Sequence, residues 1–148
     1  MARTATFDTT KGVIVAQLAE DDAPVTTANF IGLAEKGFYD GLTFHRYAPG
    51  FVIQGGDPNG NGSGGSGKNI KGEFPDNGVA NPGRHDGAGV LAMARSGQPD
   101  SASSQFYFTL AAAPHLDSGY AVFGRVTSGL DAVLALREGD RMNKVTID

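Results

Sequence analysis

The chain has 148 residues, 40% of them hydrophobic and 19% charged, the proportions of one compact domain with a single core rather than of a disordered segment. A net charge of −4 excludes a broad basic footprint, so no nucleic-acid partner is expected, and the absence of cysteine excludes disulfide scaffolds, thiolate metal sites and thiol catalysis. The N-terminal MARTATFDTTKG has no apolar signal core and no run approaches the ~18 apolar residues of a membrane span, so a cytoplasmic protein with no membrane association is expected.

Residues 3–8 (RTATFD) and 13–18 (VIVAQL) read as the two strands of a hairpin across TTKG. A helical window follows, in which Val25, Ala28, Gly32 and Leu33 fall near one stripe with Phe30 and Ala34 beside it. Pro24 suits its first turn, Thr26 or Asp22 is placed to cap its start, and Gly37 to end it. FHRYAPGFVIQGG reads as two strand pieces bent at Pro49-Gly50, and residues 57–87, dense in Gly, Asn, Pro and Asp, as loop. Short strands are expected at 90–95, 105–110, 121–126 and 144–148. Between the last two, SGLDAVLAL reads as a second helix, with Ser128 and Asp131 at capping-box spacing and Leu130, Val133 and Leu134 as its buried stripe. Many short strands with two helices predict a mainly β fold, an antiparallel sheet closed into a barrel so that no edge is exposed, with the helices plugging its ends. No repeat or linker divides the chain, so residues 1–148 form one domain.

Several local patterns carry no chemistry. Gly60-x-Gly62-x-x-Gly65 and Gly62-x4-Gly67-Lys68-Asn69 mimic nucleotide-binding loops, but each needs a helix directly after the glycines, and IKGEFPDNG forbids one. His45, His85 and His115 show no metal-ligand spacing, so neither metal nor cofactor is expected. Ser101, Ser103 and Ser104 lack a nucleophile elbow and suit turn hydrogen bonds leading into QFYFTL. In that strand Phe106, Phe108 and Leu110 share a core face, while Gln105, Tyr107 and Thr109 form a mixed face suited to a groove that meets water. Arg46 and Gln54, taken alone, fit an ordinary wet strand face.

The segment FHRYAPGFVIQGGD (44–57) closely resembles the signature of cyclophilin-type peptidyl-prolyl isomerases: Phe-His-Arg, two variable residues, then Pro-Gly-Phe and Ile-Gln-Gly-Gly-Asp. GVLAMARSGQPDSASSQFYFTL (89–110) and HLDSGYAVFGRV (115–126) resemble two further blocks of that family, in the same order. The resemblance implies a closed eight-stranded antiparallel barrel capped by two helices, with a packed interior and a proline groove on its outer face. It implies isomerisation of X-Pro bonds in peptides and in unfolded or folding proteins, with Arg46 as the catalytic arginine. Phe51, Gln54 and Gln105 are implied to act with it, Phe51 in the proline pocket and the glutamines on the substrate backbone. Val52, Tyr107 and Leu116 would complete the pocket, and Ala94 and Arg95 would line the peptide. His115 stands where many eukaryotic members have tryptophan, and Tyr120 where a histidine is frequent. Weaker cyclosporin binding is therefore implied, because the indole N–H helps hold that inhibitor. A monomer is expected. The competing class is a chaperone or adaptor that binds proline peptides without needing turnover.

Overall fold

The computed structural model describes residues 3–148, and its element order follows the expected one with adjusted ends. β1 (Thr4–Thr9) and β2 (Gly12–Leu18) form a hairpin whose inward positions are Ala5, Phe7, Ile14, Ala16 and Leu18. α1 (Pro24–Glu35) follows, then β3 (Phe44–Ala48), β4 (Val52–Gly55), β5 (Val90–Met93), β6 (Phe106–Thr109), β7 (Val122–Ser128), α2 (Leu130–Ala135) and β8 (Met142–Ile147). All strand pairs are antiparallel, in the order β3-β4-β6-β5-β7-β2-β1-β8. No helix is long and apolar enough to cross a membrane among the described residues.

The expected closure into a barrel does not occur. No ladder joins the first strand of that order, β3, to the last, β8, and the two edges meet at an isolated bridge between Thr43 and Arg141, flanked by backbone bonds from Phe44 N–H to Asp140 O (2.7 Å) and from Met142 N–H to Leu42 O (2.8 Å). The sheet is an open half-barrel. Register shifts in β3 between Phe44 and Arg46, and between Asp8 and Thr9 where β1 meets β8, increase the local twist near these edges.

Helix α1 shows why local patterns misplace detail. Pro24 lies at its start, and Gly37, at φ +76°, ends it with Phe38 N–H bonded to Leu33 O (3.0 Å) and Gly37 N–H to Ala34 O (3.1 Å). Neither Thr26 nor Asp22 caps it. Ala23 is the N-cap and makes no side-chain bond; the free N–H groups of Val25 and Thr26 go to the carboxylate of Glu73, at 3.1 and 2.5 Å. Phe30, Leu33 and Ala34 are buried as expected, but Val25 is exposed, and Thr26, Thr27 and Ile31 join the core instead. In α2 the capping box does not form, because Ser128 ends β7 and Gly129, at φ +86°, is the N-cap. Its buried residues are Ala132 and Val133, backed by Leu136, while Leu130 and Leu134 face solvent. Replacing Glu73 by Gln removes the charge from a buried cap and is expected to cost about 1 kcal/mol, read as a lower urea midpoint with an unchanged slope.

Burial splits the sheet into two faces with different tasks. On the inner face Phe7, Phe30, Ile53, Leu91, Phe106, Phe108 and Phe123 belong to one core. On the outer face Val52, Val90, Ala92, Tyr107 and Val122 form a second, smaller cluster. β5 and β6 are consequently buried on both sides. Most of the mixed face of QFYFTL does not meet water: Tyr107 is 4% exposed and Thr109 fully buried, and only Gln105 is half-buried. The chain around residues 85–89 covers them, and Thr109 Oγ1 donates to Gly87 O (2.7 Å) while accepting from Val90 N–H (2.9 Å).

Candidate active site

The outer cluster adjoins Arg46 because of one extra residue. Phe44 pairs with Gly55 and Arg46 with Gln54, so His45 is a bulge. Residues 44 and 46 would otherwise share a face. The bulge leaves Phe44 buried in the core and turns Arg46 to the outside, directly across from Gln54. The pairing then continues strand by strand: Gln54 with Tyr107, Tyr107 with Ala92, Ala92 with Val122. One cross-strand row thus runs from a guanidinium through an amide to an apolar patch.

Pro49-Gly50 forms the corner between β3 and β4, closed by Phe51 N–H to Ala48 O at 3.0 Å, with Gly50 at φ +69°. This turn sets Phe51 beside the patch, where it stacks on His115 at 5.5 Å between ring centroids and 24° between planes. A short 3-10 turn at Pro114–Leu116 brings His115 and Leu116 to the same edge. Ala94, Leu116 and Tyr120 pack on the cluster, with Tyr120 edge-on to Tyr107. Arg95 turns its side chain away along the rim. Its guanidinium lies 4.8 Å from the ring centroids of both Phe74 and Tyr120, and Nε donates to Gly119 O at 2.9 Å. It therefore fixes Tyr120 from behind. The structure brings all eleven sequence-predicted residues around one outer face: Arg46, Phe51, Val52, Gln54, Ala94, Arg95, Gln105, Tyr107, His115, Leu116 and Tyr120.

The polar half of the site is a chain of hydrogen bonds. Arg46 Nη1 donates to Gln54 Oε1 (3.5 Å), and Gln54 Nε2 donates to Gln105 Oε1 (2.9 Å). Gln105 Nε2 donates to the carbonyls of Gly62 and Gly64, at 3.0 and 2.8 Å. The glycine-rich stretch is thus a surface loop tied to the site, and no helix follows it. The exposed Arg46 has no carboxylate partner among the described residues. Apart from the Nη1 bond to Gln54, its N–H groups have no side-chain partner among the described residues.

Ala48, Val90, Ala92 and Val122 complete the patch, and nothing but alternation marked them in the sequence. His85 was a further omission. It is fully buried, its Nδ1 lies 2.9 Å from Asp117 Oδ1, and its Nε2 lies 2.7 Å from Tyr107 Oη. The carboxylate fixes the proton on Nδ1, so Nε2 accepts from the Tyr107 hydroxyl. Burial, outweighing Asp117, pushes the His85 pKa below the ordinary imidazole value, and burial drives the Tyr107 phenol far upward, keeping both groups neutral. The His45 pKa is lowered mainly by burial as well. No group of three or more His, Cys, Asp or Glu side chains placed to hold a metal ion occurs among the described residues. The serines make turn and loop bonds, as in Ser101 Oγ to Gln98 O and Ser104 Oγ to Gly56 O, both 2.6 Å.

Comparison with known proteins agrees with this arrangement. The family described as cyclophilin type peptidyl-prolyl cis-trans isomerase/CLD matches residues 4–148. Peptidyl-prolyl cis-trans isomerase B of Bacillus subtilis is 48% identical over 132 residues, covering 89% of this chain and 88% of the relative. A peptidyl-prolyl cis-trans isomerase of Synechococcus elongatus is 44% identical over 145 residues, covering 97% and 94%. A cyclophilin-type isomerase of Cryptosporidium parvum superposes with a TM-score of 0.89 at 27% identity, covering 100% of this chain and 98% of that one. The same relative crystallised in the presence of the dipeptide Ala-Pro gives 0.87 at 27% identity, covering 98% of each chain. A half-barrel whose outer face carries a free arginine beside an apolar patch, matched over nearly its whole length, belongs to the cyclophilin-type peptidyl-prolyl cis-trans isomerases, and the chain is an isomerase of that family.

Proposed function

We propose that this chain isomerises X-Pro bonds in peptides and in unfolded or folding proteins by donating a hydrogen bond from Arg46 to the twisted prolyl amide, and so assists folding. The observation that carries the reading is the cross-strand row that sets a guanidinium without a carboxylate partner among the described residues next to an apolar patch. Resonance gives the planar amide a barrier of ~20 kcal/mol. In the twisted state the proline nitrogen is pyramidal and offers a lone pair that the planar state withholds, so a donor placed there acts on the transition state alone. An acceleration of about 10⁵ requires about 7 kcal/mol, of which one such donor contributes ~3–4. The remainder is assigned to Phe51, Val52, Tyr107 and Leu116 holding the ring, and to Gln54 and Gln105 fixing the chain beside it. The likeness to a relative crystallised with Ala-Pro supports the ligand class. A cytoplasmic monomer with weakened cyclosporin binding, His115 standing in for tryptophan, belongs to the same proposal. The test is exchange spectroscopy on a short Ala-Pro peptide: cross-peaks between cis and trans signals should appear only with the protein, and their absence at substoichiometric enzyme would leave the adaptor reading.

The mechanism moves no proton, which fixes its pH dependence. The pKa values of His45 and His85 are shifted downward, so both stay neutral above the unperturbed imidazole value of about 6.5. The rate per folded molecule should be flat between about pH 7 and 9. Below about pH 6.5 the unfolded state takes up protons that the folded histidines refuse, so stability falls as pH drops, and this decrease levels off only below the folded pKa values. A bell-shaped rate profile within the flat window would sink the arginine mechanism in favour of acid–base work.

A further inference from the structure

After β4 the chain enters the glycine-rich loop, which buries the carboxylate of Asp57, 1% exposed and without a cationic partner among the described residues. Its carboxylate is satisfied by backbone. Oδ1 accepts from Asn59 N–H (2.8 Å), and Oδ2 from Asn61 N–H (3.1 Å) and Gly62 N–H (2.5 Å). Gly60 and Gly62, at φ +71° and +91°, let successive N–H groups converge on one anion. Burial raises the Asp57 pKa, but these donors outweigh it and hold the group below the usual carboxylate range.

The far side of this nest determines the polarity of the site. The carbonyls of Gly62 and Gly64 can only accept, so the amide nitrogen of Gln105 must face them. That choice turns Gln105 Oε1 toward Gln54, which must answer with its nitrogen. The oxygen of Gln54 is thereby left for Arg46. Each amide orientation follows from the one before it, and the first follows from where the loop carbonyls stand.

We propose that Asp57 is a positioning residue for isomerisation: by gathering the N–H groups of residues 59–62 it fixes the carbonyls of Gly62 and Gly64, and through Gln105 and Gln54 it orients Arg46. This inference rests on the assignment of Arg46 as the donor. Asp57→Asn keeps the shape but sets an N–H₂ against the converging N–H groups. It should lower kcat about tenfold with KM within about twofold, because the arginine is misaimed while the apolar patch is untouched. Acting through Gln105, the loss should not add: Asp57→Asn/Gln105→Ala should be no slower than Gln105→Ala alone. Gly64→Ala approaches the same nest from the other side, since a Cβ there would overlap Asp57 Oδ1, and it should give the same kcat loss with the carboxylate chemically intact. Both are measured by exchange spectroscopy on an Ala-Pro peptide, with urea midpoints to count folded molecules. If neither variant changes kcat of the folded fraction, or if the losses add in full to that of Gln105→Ala, the inference is overturned while an inactive Arg46→Ala leaves the site reading standing. If Arg46→Ala keeps wild-type turnover, the site reading falls and takes this inference with it.

Discussion

Arg46→Ala is expected to lower kcat by about 10²- to 10³-fold, equivalent to ~3–4 kcal/mol of transition-state stabilisation. KM should stay nearly constant, because the contact exists only with the twisted amide. The apolar patch proposed to hold the ring, centred on Val52 and Tyr107, does not include the arginine. Peptide binding, followed by chemical-shift titration, should therefore survive. Stability should too: Arg46 is exposed and its one side-chain bond, to Gln54, is 3.5 Å long, so the urea midpoint should move by no more than about 0.5 kcal/mol. Arg46→Lys tests what the fork adds. A lysine keeps the charge but not the planar pair of donors that can hold Gln54 and a ligand together, and should recover only part of the rate. An intact Arg46→Ala protein with unchanged turnover would sink the arginine mechanism.

The element order, the antiparallel class and the outer-face site were legible in the sequence, but for different reasons. Alternation located β1, where inward Ala5 and Phe7 alternate with outward Thr4, Thr6 and Asp8, whereas β2 was marked by its apolar, β-branched run, since its outward Val13 and Val15 are apolar too. Alternation failed on β6, whose outward residues are buried by chain from elsewhere in the sequence, including His85 and Gly87. The bulge at His45 was equally invisible. An ideal strand would put Arg46 on the side of Phe44, inside the core, and only pairing with β4 reveals the extra residue. It took family resemblance, not periodicity, to single out this arginine. Glu73 illustrates the same limit. The local cap candidates lie within a turn of α1, but the acceptor lies 47 and 48 residues away along the chain. Closure of the barrel was expected from the need to hide edges, whereas β3 and β8 are joined by an isolated bridge and a few flanking backbone bonds instead of a ladder.

Phe106→Ala should show the opposite signature to Arg46→Ala. The ring is fully buried on the inner face, with centroids of Phe7 and Phe30 at 5.7 Å, Tyr39 at 5.4 Å and Phe108 at 5.8 Å. Truncation leaves a cavity among rings that cannot collapse into it, because each is anchored on a different strand, helix or loop. The cost should be ~3–5 kcal/mol, a large part of the ~5–15 kcal/mol that holds a domain together, and the melting temperature should fall by roughly 10 °C. The neighbours of Phe106 in sequence, Gln105 and Tyr107, both point to the other face, where Gln105 is held by loop carbonyls and Tyr107 by His85. Those tethers do not pass through the inner core. At a temperature where the variant is still folded, its kcat per folded molecule should therefore match the wild type within about twofold. A loss of turnover beyond the unfolded fraction would mean that the inner core steers the outer face, and that the two-sided strands do not separate stability from catalysis.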